Sequence, residues 1–222
     1  MDTIMALAAA GVATAFFVDL AMGYRVRPRR HVAVWALAIA MYAIATWALV
    51  VGVVFGWTDP VFRVFYLFGA ILNVPFLALG SLYLAAPKTA SRLLEFFVIF
   101  GLLAAFVVIT APTVNTVPTD GLPAGSDVFA SFREVGPTGP RFWALVANVL
   151  GTLVLIGLAI VSILRLARVN RTSVLANGLV IAGVLAPVYG GTLFAFGEAG
   201  SFAASLLLGA ILLWAGYRVG SA

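Results

Sequence analysis

Long apolar runs with few or no charged side chains recur along this chain, and they constrain its fold more than any other feature. About 20 apolar residues in a helix cross the hydrocarbon core of a bilayer, and several of the runs reach that length. The whole chain is 64% hydrophobic and 9% charged, whereas soluble domains are about 25% charged. These features predict a polytopic membrane protein.

Seven such spans emerge, and helices are the expected form because lipid offers backbone N–H and C=O groups no partner. A closed β-barrel would show alternating hydrophobicity, which these runs lack. The sequence therefore predicts an all-α bundle of seven transmembrane helices in a single domain that covers residues 1–222. The predicted helices lie at about 3–23, 32–56, 61–86, 89–111, 140–167, 172–197 and 200–218.

The basic residues favour one orientation of this bundle. Ten of the thirteen arginines and lysines lie in the first, third and fifth connections, at the helix ends beside them, or in the tail, as in the loop YRVRPRRH at 24–31. Such residues collect on the cytoplasmic side of membrane proteins. The N-terminus is therefore expected outside the cell and the C-terminus in the cytoplasm.

One connection, residues 112–139, is far longer than the others and contains four prolines and four glycines. That composition ends helices and predicts an extracytoplasmic loop. Within it, the stretch SDVFASFRE favours a short helix capped by Ser126 or Asp127. A lid over the bundle and a mobile linker both agree with the sequence.

The residue types present exclude most catalytic chemistry. The chain has no cysteine, and its one histidine, His31, lies in the arginine-rich first loop. Histidine or thiolate metal sites, haem ligation and a Ser-His nucleophile therefore lack their residues inside the membrane. The one lysine, Lys88, is not in the last span, which excludes a retinal Schiff base there. We expect no enzyme, no metal, no cofactor and no nucleic-acid partner, because the arginines sit in short loops that orient helices.

Two stretches resemble parts of an uncharacterised family of small bacterial membrane proteins with seven helices. They are FYLFGAILNVPFLALGSLYLAAP at 65–87 and GGTLFAFGEAGSFAASLLLGAILLWAGYR at 190–218, about a quarter of the chain. The resemblance implies a multi-pass protein of the bacterial cytoplasmic membrane. No function comes with it.

Asp19 is an acidic residue near the cytoplasmic end of the first span. It shares a helix face with Ala8, Gly11 and Ala15, small residues that let another helix approach closely. An ionisable group in a membrane is a candidate proton or cation site. An ion pair with a loop arginine is the alternative, because Asp19 lies only about 6 Å from the helix end.

The stretch ILNVPFLALG at 71–80 places an amide and a proline inside the third span. Asn73 is expected about 18 Å from the outer end, near the middle of the membrane. Pro75 has no N–H, so the carbonyl of Ile71, one turn earlier, needs another donor. Both groups are costly to leave unpaired in lipid.

Two later spans have similar features at overlapping depths. The sixth carries Pro187 with a tyrosine and a threonine soon after it, and the fifth carries an asparagine and a threonine one turn apart. Together these groups are expected to line a cavity that opens outward beneath the long loop; simple hydrogen bonding between packed helices is the alternative. The candidate ligand-binding residues are Asn73, Asn148, Thr152, Tyr189 and Thr192.

The sequence thus predicts non-enzymatic binding of a small apolar or lipid-like ligand in the outer half of the bundle, by a sensor or an accessory subunit. The lipid bilayer is the expected surrounding. A homo-oligomer or a partner in a membrane complex stays open, because Ser201, Ser205 and Gly209 recur every four residues on one face of the seventh span and permit close helix packing. A transporter or channel for a small solute and a structural subunit of a larger complex are the alternative functions.

Overall fold

Seven long helices make up the fold in the computed structural model, which describes residues 2–118, 121–195 and 199–221. All seven are long and apolar enough to cross a membrane, and their ends lie within three residues of the predicted spans. In the described part of the chain the one β-type pairing is an isolated bridge between Thr113 and Phe129. The predicted all-α bundle is confirmed. The helices are α1 Asp2–Val26, α2 Arg30–Phe55, α3 Asp59–Ala85, α4 Pro87–Thr110, α5 Pro140–Leu166, α6 Arg171–Ala195 and α7 Ala199–Ser221.

Prolines and a glycine mark several of the helix ends. Pro87 and Pro140 are the first residues of α4 and α5, where the missing N–H costs nothing because the first helical N–H groups have no intrahelical acceptor. Gly56, with φ +88°, ends α2 in a conformation that other residues rarely adopt. Trp57 then folds back so that its ring covers Gly52, where an added Cβ would lie 2.4 Å from the ring.

Six of the helices form a closed ring in the order α1, α2, α3, α5, α6 and α7, with α7 returning to α1. The remaining helix, α4, packs outside this ring, chiefly against α3. Its outer side chains Phe96, Leu102, Phe106 and Ile109 are 62–68% exposed. Large exposed apolar side chains on a peripheral helix suit contact with lipid.

The small residues through which α1 packs against the rest of the bundle lie on a different face of the helix from the one predicted. Ala6, Ala9, Ala10 and Ala13 are fully buried, whereas a Cβ added at Gly11 would meet nothing within 4 Å. The prediction that α1 packs closely through Ala8, Gly11 and Ala15 is therefore wrong for contacts within the chain. Small side chains occur on both sides of α1, so their spacing does not select between the two.

The contact between α6 and α7 is the most extensive between helices in the described part of the chain, and it uses glycine on both helices. A Cβ added at Gly183 would lie 2.9 Å from the backbone nitrogen of Leu213, and one added at Gly209 would lie 2.9 Å from the carbonyl oxygen of Gly183 and 3.1 Å from Pro187. Ser205, one turn before Gly209, is 9% exposed. The side chain of Ser201, the third residue of that predicted face, lies outside the described part.

The two ends of the bundle differ in charge. At one end, called here the arginine-rich end, the connections between α1 and α2, α3 and α4, and α5 and α6 meet the last turn of α7. The Arg30 guanidinium donates to Ser91 Oγ at 3.1 Å across this end. The other, called the loop end, carries residues 112–139.

Candidate functional site

A cavity of about 460 Å³ lies inside the ring, within the range of small-molecule sites. Side chains of α2, α3, α5, α6 and α7 form its walls, and residues 122–125 of the long loop cover it at the loop end. It extends from this cover down to Leu77 on α3 and Leu213 on α7. The lining groups with a polar side chain are Tyr42, Thr46, Tyr66, Asn73, Asn148 and Thr152.

The wall contributed by α3 contains a break in the helix. Residues Tyr66–Leu72 are π-helical, and α-helix resumes at Asn73. In a π-helix each N–H bonds to the carbonyl five residues earlier, which shifts the register of the backbone bonds by one residue. Pro75, two residues further on, has no N–H to give. This segment and the proline together turn Gly69, Ala70 and Asn73 toward the cavity.

The side chain of Asn148 on α5 satisfies the carbonyl that this break leaves free. Its Nδ2 donates to the Ala70 carbonyl oxygen at 2.6 Å and to the Ala144 carbonyl oxygen at 2.9 Å. Ala70 is five residues before Pro75, the spacing at which a π-helical N–H would bond its carbonyl. The extra donor expected at the carbonyl of Ile71 stays a prediction.

A glycine lets α5 approach the break closely. A Cβ at Gly151 would lie 3.0 Å from Val74 Cγ1 and 3.1 Å from the nitrogen of Pro75. Gly151 is three residues after Asn148, so one face of α5 supplies both the amide and the close contact. Thr152 follows on the cavity side.

Asn73 lines the cavity, and its Oδ1 is enclosed without a hydrogen-bond partner among the described residues. An unpaired buried amide oxygen costs roughly 1–3 kcal/mol. The terminal torsion of asparagine is soft, so the amide can turn at low cost to present this oxygen to the cavity. Asn73 therefore offers a buried polar group of the wall that an occupant can satisfy.

Two of the other polar groups are already bonded within the protein. The Tyr42 hydroxyl donates to the Leu206 carbonyl oxygen at 2.7 Å, which ties α2 to α7. Thr46 Oγ1 bonds the carbonyl oxygens of Tyr42 and Ala43 on its own helix, at 3.1 and 3.0 Å. These two hydroxyls therefore stabilise the wall and leave the cavity surface largely apolar.

Aromatic packing fixes the long loop over the cavity. Phe129 is fully buried, with its ring 5.7 Å from that of Phe62 and 5.2 Å from that of Tyr66. The Arg63 guanidinium lies 5.6 Å from the centre of the same ring. A Cβ at Gly125 would lie 2.6 Å from the Tyr66 ring, so only glycine fits there. Residues 121–129 lie over the cavity, in the position that the lid interpretation expects.

Two short helices form in this loop where one was expected, Gly125–Val128 and Phe132–Val135. Asp127 does stabilise the first helix, but it is a residue of that helix and not the residue before it. Its Oδ2 accepts a hydrogen bond from the Ala124 N–H at 2.8 Å. Ser126 does not provide the cap. In the second helix, hydrogen bonds from the backbone and hydroxyl of the residue that precedes it, Ser131, lower the pKa of Glu134 below its usual value.

Of the five predicted ligand-binding residues, the structure brings three together in the cavity wall: Asn73, Asn148 and Thr152. It does not bring Tyr189, which is 67% exposed on the outside of α6. The side chain of Thr192 lies outside the described part of the chain. Tyr42 and Tyr66 were missed, although a hydroxyl within an otherwise apolar run is the same signal that identified the asparagines.

Asp19 lies apart from the cavity and is paired. Its Oδ2 is 2.8 Å from Arg218 Nε and accepts a hydrogen bond from Trp214 Nε1 at 2.7 Å. The structure thus shows the ion-pair alternative, but the partner comes from α7 instead of a loop. An aspartate that is held by two donors, with its side chain 17% exposed, has the arrangement of a structural contact between α1 and α7.

The cavity is electrically neutral, because none of its lining side chains among the described residues is charged. A charged ligand would lose its hydration there without compensation, which is costly at low dielectric constant. The site therefore suits an uncharged molecule. Comparison with protein-family models, with curated proteins and with solved structures finds no match to this chain. What defines its class is the architecture itself: a bundle of seven apolar helices, six of which form a ring around a lidded, neutral cavity.

Proposed function

We propose that this protein is a non-enzymatic, multi-pass component of the bacterial cytoplasmic membrane that binds a small, uncharged, mostly apolar ligand. The observation that carries the proposal is the neutral cavity of about 460 Å³. A lipid-like molecule with one hydroxyl or amide group matches this wall, since it offers a donor to Asn73 and apolar surface to the remainder. The role would be that of a sensor or an accessory subunit.

The absence of cysteine and the single histidine in the sequence support a binding role over catalysis. A nucleophile and base, or a set of metal ligands, would be needed for most chemistry on a bound lipid. The cavity wall supplies amides and hydroxyls, three of which are already bonded to backbone: Tyr42, Thr46 and Asn148. These groups position a ligand but do not activate it.

The proposed orientation has the loop end outside the cell and the arginine-rich end in the cytoplasm, supported by the distribution of the basic residues. We expect a cysteine at Ser126 in the lid to react with an impermeant thiol reagent added to intact cells, and one at Val169, which is 82% exposed, to react only after the membrane is opened. The chain has no cysteine of its own, so each label reports one position. The reverse pattern would show that the bundle is inverted.

Asn73→Leu tests the ligand site. Leucine cannot accept a hydrogen bond from the ligand, so we expect the purified variant to lose the molecule that co-purifies with the native protein. The variant should be at least as stable as the native protein, because leucine removes the cost of an amide oxygen that has no partner in the described structure. The measurements are mass spectrometry of the bound small molecules and thermal unfolding in detergent.

Asn177→Leu is the matched control for this test. Asn177 is also a helix amide, but it bonds Ser162 Oγ at 3.0 Å and does not line the cavity. This variant should be less stable and should keep the ligand. A native protein without a co-purifying small molecule, or an Asn73→Leu protein that retains it fully, would contradict the proposed function.

A further inference from the structure

A second, much smaller cavity continues the axis of the first toward the arginine-rich end. Its volume is about 20 Å³, close to that of one water molecule. Leu77 of α3 and Leu213 of α7 line both cavities. The two leucines therefore form a constriction between two spaces on one path through the ring.

Aromatic side chains close the path below this constriction. The Tyr217 ring lies 6.0 Å from that of Phe16 and 6.2 Å from that of Trp35. The Trp35 ring covers Gly80, where an added Cβ would lie 2.1 Å from it, and its Nε1 donates to Ser81 Oγ at 3.3 Å. Side chains from four helices of the ring, α1, α2, α3 and α7, thus meet at this point.

The ion pair of Asp19 and Arg218 lies next to this closure. Trp214, which donates to Asp19, also stacks on Phe16 with ring centres 6.0 Å apart. Phe16 lines the small cavity. The ion pair therefore holds α7 against α1 at the level where the path is blocked.

Two helices of the ring have a place that favours bending, on the loop-end side of the constriction or level with it. In α3 the π-helical segment and Pro75 precede Leu77, and in the continuous helix α6 Pro187 contacts Gly209, one turn before Leu213. Prolines and π segments are the usual places where helices bend. The parts of these helices on the arginine-rich side can therefore shift while the lidded cavity stays intact.

We propose that this protein transports its uncharged ligand across the membrane, with a gate formed by Leu77, Leu213, Phe16, Trp35 and Tyr217. The structure is the state closed at the arginine-rich end. An apolar constriction of this kind blocks water and ions without any charged barrier, and it opens by small movements of the helices. The proposal rests on the cavity of the proposed function and assigns it transport in place of a sensor or accessory role. Its experiment tests passage through the cavity, whereas Asn73→Leu tests retention in it.

The experiment places a reporter in the cavity, Thr152→Cys, in membrane vesicles of known orientation. With the lid released by Phe129→Ala, an impermeant thiol reagent should label it from the loop end, and only slowly from the arginine-rich end. Two separate changes should raise the second rate by at least about tenfold: Leu77→Ala with Leu213→Ala, which widens the constriction, and Asp19→Asn, which weakens the hold of α7 on α1. Asp19→Asn lies outside the cavity, so it remains informative if the double variant folds poorly.

Leu208→Ala is the control, because Leu208 is 51% exposed on the outer face of the same helix; it should change neither rate. Proteoliposomes with the Leu77, Leu213 double variant should also pass glycerol, an uncharged probe, but not potassium, since the wall offers no charge. One result would contradict the gate: in both gate variants, labelling from the arginine-rich end stays at the native rate while labelling from the loop end persists. The cavity would then be a binding pocket that opens at the loop end alone.

Discussion

Gly209→Leu is expected to leave little folded protein. Any side chain at this position starts with a Cβ 2.9 Å from the Gly183 carbonyl oxygen and 3.1 Å from the Pro187 ring, and neither a backbone oxygen nor a proline ring can move aside. Overpacking of a well-packed interior costs about 1–3 kcal/mol or more, and a leucine adds three further carbons here. We expect a loss above about 3 kcal/mol. Fluorescence-detected size exclusion and thermal unfolding in detergent measure it.

Gly11→Leu is the matched control for this prediction. The substitution is the same, but a Cβ at Gly11 meets nothing within 4 Å, so this variant should elute and unfold like the native protein. Leu207→Ala, a truncation on α7 at a partly buried position, should lie between the two. A Gly209→Leu protein as stable as Gly11→Leu would mean that α6 and α7 do not pack as described.

Phe129→Ala should detach the lid while the seven helices stay folded. Phe129 is fully buried against Phe62 and Tyr66, and truncation of a buried phenylalanine costs about 3–5 kcal/mol. Short helices such as Gly125–Val128 have little stability of their own. The loss should therefore fall on residues 121–129. Limited proteolysis and hydrogen exchange of this segment are the measurements, and both should accelerate.

Phe132→Ala supplies the comparison within the same loop. Phe132 is 44% exposed, so its truncation should leave proteolysis of the lid near the native rate. Global unfolding temperature should be similar in the two variants, since Phe129 joins the loop to α3 and takes no part in the contacts between ring helices. Equal protease resistance of Phe129→Ala and native protein would show that the lid is held by something other than this aromatic cluster.

The candidate site was partly predictable because depth along a helix can be read from position alone. Asn73, Asn148 and Thr152 were expected at overlapping depths, and they line one cavity. Tyr189 was expected with them on the same ground and is 67% exposed. It follows Pro187 by two residues, which in a helix with 3.6 residues per turn is a rotation of about 200°. The position along the helix was therefore predicted correctly, but the side of α6 on which Tyr189 lies was not.

The donor for the broken helix shows a similar limit. The missing N–H of Pro75 was evident from the sequence and pointed to the carbonyl of Ile71, whereas the extra donor that the structure shows, Asn148, bonds the carbonyl of Ala70. A π-helical segment directly precedes the point where α5 packs closely against Val74 and Pro75 through Gly151. A local rule cannot include a contact between residues 70 and 148.

By itself the sequence determined the class of the protein: the number of helices, their limits, and the two ends of different charge. These follow from apolar length and from charge in the loops, which are local properties. Only the tertiary structure decided the ring with α4 outside it, the lid, the buried face of α1, and the pairing of Asp19 with Arg218. The reason is physical. Side chains that face lipid are as apolar as those that face other helices, so hydrophobicity does not reveal which face of a membrane helix turns inward.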